Sequence, residues 1–159
     1  LQTPEQTEGK EGYWWFTDCE ANAAECRLTM NIRDFDRSRY ESRKAFVLEA
    51  VEAVRAQHPR AVIEAELVDV YSNIADSLGD DRSPVELLYK AADNLGITTN
   101  TIAMRGGTDG SALSAKGLVT PNYFTGACNF HSYAEFLPLP SLHKSLEMTL
   151  ELVRLTAGK

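Results

Sequence analysis

The sequence predicts an α/β protein in two parts: an antiparallel β-β-α-β piece, then an α-β-α-β-α piece. Three observations carry this reading. Glu25 to Asp34 alternates apolar and polar residues, three later stretches place apolar residues at helical spacing, and the polar break Gly79-Asp80-Asp81-Arg82 separates the halves. The break sets the boundary near Leu78 to Arg82 and divides 1–78 from 79–159. A chain of 159 residues with 43% hydrophobic content has material for a real core.

In the alternating stretch Cys26, Leu28, Met30 and Ile32 share one side, and Arg27, Thr29, Asn31 and Arg33 the other, the pattern of a half-buried strand. Tyr13-Trp14-Trp15-Phe16 reads as its upstream neighbour, with Glu20 to Ala24 turning between them, so a hairpin is expected. Ser38 with Glu41 forms a capping box ahead of Val47, Ala50, Val51 and Val54, a helix that stops at His58-Pro59. Val62 to Val70 alternates again and predicts a third strand.

Ser83-Pro84-Val85-Glu86 supplies a cap, a first-turn proline and a capping-box glutamate for a helix that turns Leu88, Ala91, Ala92 and Leu95 inward and ends at Gly96. Ile97 to Met104 and Leu118 to Phe124 read as strands, and Thr108 to Lys116 as a short helix between them. Ser141 to Leu155 is the final helix, with Leu142, Leu146, Leu150 and Val153 on one stripe. Helices alternating with strands are expected to give parallel strands with helical crossovers.

Sixteen basic against 23 acidic residues, a net charge of −7, argue against nucleic acid or an anionic membrane as the main partner. No stretch approaches the roughly 18 to 20 apolar residues a membrane helix needs. Cys19, Cys26 and Cys128 form neither a CxxC pair nor an even disulfide set, so a reducing cytoplasm is the simpler home. The chain starts with Leu1 rather than Met, in a polar loop-like stretch, and is expected to begin inside a longer protein.

Several residues carry candidate chemistry. Arg105 lies at the end of an expected strand, before Gly106 and Gly107 and a helix start, where its guanidinium fork suits a carboxylate. On the hexapeptide alone, pairing with Asp109 or a helix end accounts for it equally well. His131 sits in an irregular stretch after the next strand, with Glu135 placed to orient it as a zinc ligand. Without other ligands at spacing, a plain loop histidine is the more economical reading, and His58 and His143 read as surface residues. Arg33 ends a strand on its polar face, where an ion pair with Asp34 or Asp36 explains it. Asn73, just past the third expected strand, is a candidate donor to a carbonyl or oxyanion.

Taken in order, Thr3 to Gly9, Ile32 to Arg37, Arg105 to Gly110, Pro121-Asn122-Tyr123-Phe124-Thr125-Gly126, and His131 with Glu135-Phe136 resemble the peptidase T family, di-zinc tripeptide aminopeptidases of the aminoacylase and carboxypeptidase superfamily. The resemblance runs from end to end. It implies that 1–78 is the second half of a lid or dimerisation-type domain and 79–159 the C-terminal part of a zinc peptidase catalytic domain. It also implies a reaction that releases the N-terminal residue of tripeptides.

Carried over by motif, His131 matches the last zinc ligand, and Arg33 and Arg105 match arginines that grip the substrate carboxylate. Asn73 joins them as a substrate-binding candidate and Glu135 as the residue behind His131. The remaining zinc ligands and the general base of the family lie upstream of the stretch matched here, so this chain alone is expected to be inactive and to bind zinc poorly. The expected partners are a tripeptide, the missing N-terminal segment, and a second copy in a homodimer. A non-catalytic binding or assembly module, and a related zinc carboxypeptidase or aminoacylase with another substrate, are the alternatives.

Overall fold

The computed structural model describes residues 2–157; Leu1, on which the expectation about the chain start rests, and the last two residues lie outside the described residues. Two compact units emerge, one running through Val70 and including Ile102–Gly106, the other made of Tyr71–Thr101 and the stretch from Gly107 onward. The division thus falls at Val70/Tyr71 instead of near Leu78 to Arg82. The reason is local: a short helix α2, Ile74–Leu78, is capped by the Asn73 side chain and packs on helix α4, Asp109–Ala115, which draws this stretch into the second unit.

In the first unit, strands β1 (Tyr13–Ala21) and β2 (Cys26–Arg33) pair antiparallel, as expected, with a bulge at Thr17 between the Phe16↔Met30 and Asp18↔Thr29 pairs. Helix α1, Arg37–Gln57, follows. Its cap is Asp36, whose carboxylate accepts from the Arg39 N–H at 2.8 Å, and not the expected Ser38 box. The side facing the unit is also different from the expected apolar stripe. Tyr40, Arg43, Lys44, Val47, Val51 and Arg55 are its covered positions, while Ala50 and Val54 face solvent.

That charged stripe is held by Asp34, whose side chain is fully buried. Its two oxygens accept from Arg43 Nε at 2.9 Å and Arg39 Nε at 3.1 Å, and one also accepts from the Asp36 N–H. Burial pushes the Asp34 carboxyl up, but these hydrogen bonds outweigh it and hold the group below its ordinary value. Arg43 in turn donates to Gln2 and lies 4.4 Å over the Trp14 ring, which packs against Phe46. Gly12 is required here, since a Cβ at that position would meet the Asp34 carboxylate at 2.1 Å.

Val62 to Val70 forms no ladder and is not the expected third strand. Side chains of α1 hold it instead: Arg55 donates to the Ile63 carbonyl, and Tyr40 and Lys44 donate to Asp69 at 2.7 and 3.1 Å. With its ends tied to a helix, the segment runs beside α1 opposite in direction. Val62, Val68 and Val70 are left exposed.

In the second unit, helix α3 (Ser83–Asn94) packs on helix α5 (Leu139–Ala157). Ala91 and Ala92 allow close approach, Met148 fills the gap, and Leu88, Leu95, Ile97, Leu152 and Leu155 surround them. The predicted inner face of α3 is borne out, and Gly96 adopts φ +64° as its left-handed end, with the Ile97 N–H closing back onto the Ala92 carbonyl at 2.9 Å. Ser83 is the first helical residue and not the cap, a position taken by Arg82.

The covered side of α5 runs through Ser141, Ser145, Met148, Leu152 and Leu155; the predicted stripe of Leu142, Leu146, Leu150 and Val153 is exposed. Both sets obey the helical period. The packing of α3 selects the one centred on Met148, because two alanines leave room for a methionine and not for a row of leucines.

Ile97 to Met104 and Leu118 to Phe124 hold no ladder among the described residues, where the only sheet is the β1–β2 pair. Alternation in a sequence marks which side chains share a face, but a ladder also needs a neighbour to receive its N–H and C=O groups. The fold class is mixed, with an antiparallel sheet first and helices after it. No helix of the described residues is long and apolar enough to cross a membrane.

One consequence concerns acid. Glu151 of α5 accepts from Arg154 and from Asn94 of α3 (2.6 Å), and these bonds, Arg154 first, lower its carboxyl to about 2. A lowered folded value means stabilisation that is full above the ordinary glutamate range near pH ~4.3 and lost as pH falls toward 2. Glu151→Gln is expected to flatten the unfolding curve between about pH 4 and 2, read as Tm against pH beside the unsubstituted chain.

Candidate functional site

Each unit holds its own group of the residues singled out above. In the first, Tyr13 links the two arginines. It stands opposite Arg33 in the ladder, so the two side chains emerge on the same face, and its ring lies 4.6 Å beneath the Arg105 guanidinium. The Tyr13 hydroxyl donates to the Arg105 carbonyl at 3.4 Å, and Tyr13 is only 7% exposed.

Arg105 is well occupied. Nη1 donates to the Thr7 carbonyl at 2.5 Å and to the Pro4 carbonyl at 3.4 Å, and Nη2 donates to the Thr7 hydroxyl. Its Nε is buried with no hydrogen-bond partner. The pairing with Asp109 that the hexapeptide allowed is replaced by this grip on the turn Pro4–Gln6 and Thr7. A guanidinium so held is preorganised and stacked; a carboxylate ligand must use the two N–H groups left, on Nε and on Nη2, or displace Thr7.

Asp34 spends its carboxylate on Arg39 and Arg43. The network of Asp34, Arg43, Trp14, Thr7 and Tyr13 that fixes this neighbourhood was not read from the sequence. Thr7 and Tyr13 stand more than ninety positions from Arg105, beyond the reach of any local pattern.

In the second unit, the Asn73 side chain accepts from the Ala75 N–H at 3.1 Å as the cap of α2. Asn73 followed by Ile74-Ala75-Asp76 is a legible cap signal, and that use of the oxygen leaves the amide NH2 as its donor for a ligand. Gly107 permits close contact, since a Cβ there would meet the Tyr71 ring at 2.1 Å.

His131 is exposed on a small closed loop. Cys128 and Phe136 exchange two backbone hydrogen bonds at 2.9 and 3.2 Å at the loop's base. Glu135 accepts from the His131 backbone N–H at 3.0 Å, so the carboxylate fixes the backbone of the histidine. His131 and Asn129 both adopt left-handed backbone, at φ +62° and +57°. For a histidine that conformation costs about 1 kcal/mol and is tolerated where the surroundings impose it, as at ligand-presenting positions.

Among the described residues no three His, Cys, Asp or Glu side chains come together in a way that would hold a metal. His131 therefore stands as one donor, short of the three protein ligands of a catalytic zinc.

Two substitutions test these descriptions. Arg105→Lys keeps the charge and loses the fork and the stacking plane, and is expected to destabilise the chain by about 1–2 kcal/mol in urea unfolding. His131→Gly is expected to be about 1 kcal/mol more stable than His131→Ala, because glycine adopts the left-handed backbone without a Cβ clash; equal stabilities would mean that the loop relaxes out of that conformation.

No family model matches the chain. A peptidase T-like protein of Yersinia pestis is 53% identical over 148 residues, 93% of this chain and 36% of that protein. A peptidase T-like protein of Rhizobium meliloti is 47% identical over 156 residues, 98% of this chain and 38% of that protein. Peptidase T of Fusobacterium nucleatum is 40% identical over 158 residues, 99% of this chain and 38% of that protein. The chain thus spans less than two fifths of the length of these curated relatives. Among solved structures, a tripeptidase from Staphylococcus aureus superposes with a TM-score of 0.73 at 20% identity, covering 100% of this chain and 43% of its own, which shows a shared fold. Over nearly its whole length the chain is a homologue of part of the peptidase T and peptidase T-like proteins, as its ordered motifs implied.

Proposed function

We propose that this chain is the C-terminal portion of a peptidase T-like zinc aminopeptidase that releases the N-terminal residue from tripeptides in the cytoplasm. The observation that carries the reading is the near-complete alignment of the chain with two proteins named peptidase T-like, at 53% and 47% identity, and one named peptidase T, at 40%, over less than two fifths of their length. In this reading His131 supplies one zinc ligand, held in place by Glu135 through its backbone N–H. Arg33 and Arg105 bind the substrate's carboxylate, and Asn73 donates from its amide.

The residues present do not by themselves fit a zinc ion, because they bring no cluster of three donors together among the described residues. The chain is therefore proposed to be inactive alone, and no chemical step is assigned to it. What it supplies is positioning: a rigid guanidinium and a histidine in a fixed backbone conformation.

The exposed apolar surface supports incompleteness. Val68, Val70, Ile102, Met104 and Leu118 lie in segments with strand-like sequence but no ladder, and the outer leucines of α5 are uncovered. In this reading the remaining length of the enzyme supplies the covering partner, and self-association occurs in its absence.

Zinc calorimetry and tripeptide hydrolysis, with and without the upstream part of a peptidase T relative added in trans, test the proposal. No tight zinc binding alone, and chelator-sensitive activity that returns with the upstream part and disappears with His131→Ala, are expected. Chelator-sensitive cleavage by the chain alone sinks the claim of inactivity. Tight association with the upstream part that restores no hydrolysis favours a binding or assembly module.

A further inference from the structure

We propose that Cys19 and Cys26 form a reversible dithiol/disulfide site at the loop end of the hairpin, oxidised by low-molecular-weight disulfides through thiol–disulfide exchange. The proposal stands apart from the peptidase reading. It follows from the register of β1 and β2.

Cys19 pairs with Leu28, and Cys26 pairs with Ala21, so the two cysteines are diagonal neighbours across the ladder. Their face is settled by the turn. The Asn22 N–H donates to the Glu25 carbonyl at 2.9 Å, which makes Asn22 and Glu25 a hydrogen-bonded pair. Bonded and non-bonded pairs alternate along an antiparallel ladder. Ala21↔Cys26 and Cys19↔Leu28 are then both non-bonded pairs, the kind whose side chains stand closer and on the same face.

Within that four-residue patch, Ala21 offers no side chain beyond Cβ to block the approach of Cys26 to Cys19. The right-handed twist of a two-stranded ribbon adds to the effect by closing one diagonal of the patch. The register makes the thiols neighbours, and the direction of the Cys19 titration agrees: desolvation pushes the Cys19 thiol up, and the charge and hydrogen bonding of Cys26, then the charge of Asp18, push it further. Both cysteines are exposed, so an oxidant can reach them.

The loop is built to tolerate the closure. Asn22 Oδ1 accepts from the Ala24 and Glu25 N–H groups at 2.8 and 3.1 Å, which keeps the turn intact while Cys26, the first residue of β2, shifts. A disulfide needs its Cα atoms within about 6.8 Å, and a flat diagonal spans about 7–8 Å, so a movement of about 1 Å brings the bond within range.

The chemistry balances without a metal or an enzyme. One cysteine thiolate attacks a sulfur of RSSR, forming a mixed disulfide and releasing RS⁻, which takes up a proton. The second cysteine, as thiolate, attacks the protein sulfur of the mixed disulfide, forming the Cys19–Cys26 bond and expelling the second RS⁻. Two protein thiols are oxidised, one small disulfide is reduced to two thiols, and no other oxidant is consumed. Cys128, also exposed but in the other compact unit, has no cysteine opposite it in a ladder and serves as an internal control.

The test is incubation of the reduced chain with glutathione disulfide, acid quenching, and non-reducing peptide mass mapping. The expected product carries a Cys19–Cys26 cross-link, about 2 Da lighter than the reduced pair, with Cys128 reduced or capped by one glutathione. Cys26→Ser is expected to stop Cys19 at the mixed disulfide, and Cys128→Ser to leave the cross-link unchanged. Three separately glutathionylated cysteines, or a bond from Cys128 to either of the others, overturns the proposal.

Discussion

The first unit depends on one buried carboxylate. Asp34 sits at the junction of strand and helix, fully enclosed, and its two oxygens divide between Arg43 and Arg39 while one also receives the Asp36 N–H. Removing a carboxylate from such a place leaves Arg43 buried without its counter-charge, which costs far more than an exposed ion pair contributes. Arg43 then carries the constraint outward, since the same guanidinium covers Trp14 and reaches Gln2. Hairpin, helix and N-terminal segment are thereby tied to one charged centre, an arrangement that specifies geometry in a region with few buried apolar side chains.

Arg105 repeats the device on a smaller scale. It grips Thr7 and Pro4 by hydrogen bonds and Tyr13 by its face, and Tyr13 returns a bond to its carbonyl. The segment Ile102–Gly106, distant in sequence, joins the first unit through these contacts. The second unit is built on the opposite principle, with a small apolar contact of Ala91, Ala92 and Met148 flanked by polar links such as Asn94 to Glu151. Charge organises one unit, and close packing organises the other.

How much of this was legible depended on whether the pattern admitted one solution. α3 was readable because a single face of it is apolar and Gly96 agrees with its end; the hairpin was readable from two strand-like runs flanking a short turn, although Cys26 and Leu28 on the apolar side of β2 are exposed. In α5 two stripes share the helical period, and only the partner's alanines decide between them. In α1 the covered side takes Val47 and Val51 from the apolar pattern but fills its other positions with Tyr40, Arg43, Lys44 and Arg55, so the pattern located only half of the buried side. The expected strands fail for a different reason. Val62 to Val70 has the side-chain alternation, but its tethers are to α1 and its ladder has no second member. Of the site, the loop position of His131 was visible from its surroundings, whereas its left-handed backbone and the use of Glu135 on the backbone N–H arise only when Cys128 and Phe136 close the loop.

The tethered segment beside α1 behaves as a strap of nearly fixed length. Lys44 and Arg55 are separated along the helix by eleven residues, about 16 Å at about 1.5 Å per residue. The six steps from Ile63 to Asp69 reach at most about 20 Å when stretched. Little slack remains, and the flexible arms of lysine and arginine take up what there is. The strap therefore acts as a gauge: shortened by two residues it reaches about 14 Å, which the lysine and arginine arms must stretch to bridge, whereas lengthening it would let the valines bow away from the helix. Sequence changes here are constrained in number more than in kind, because the span between the two anchors is set by the pitch of α1.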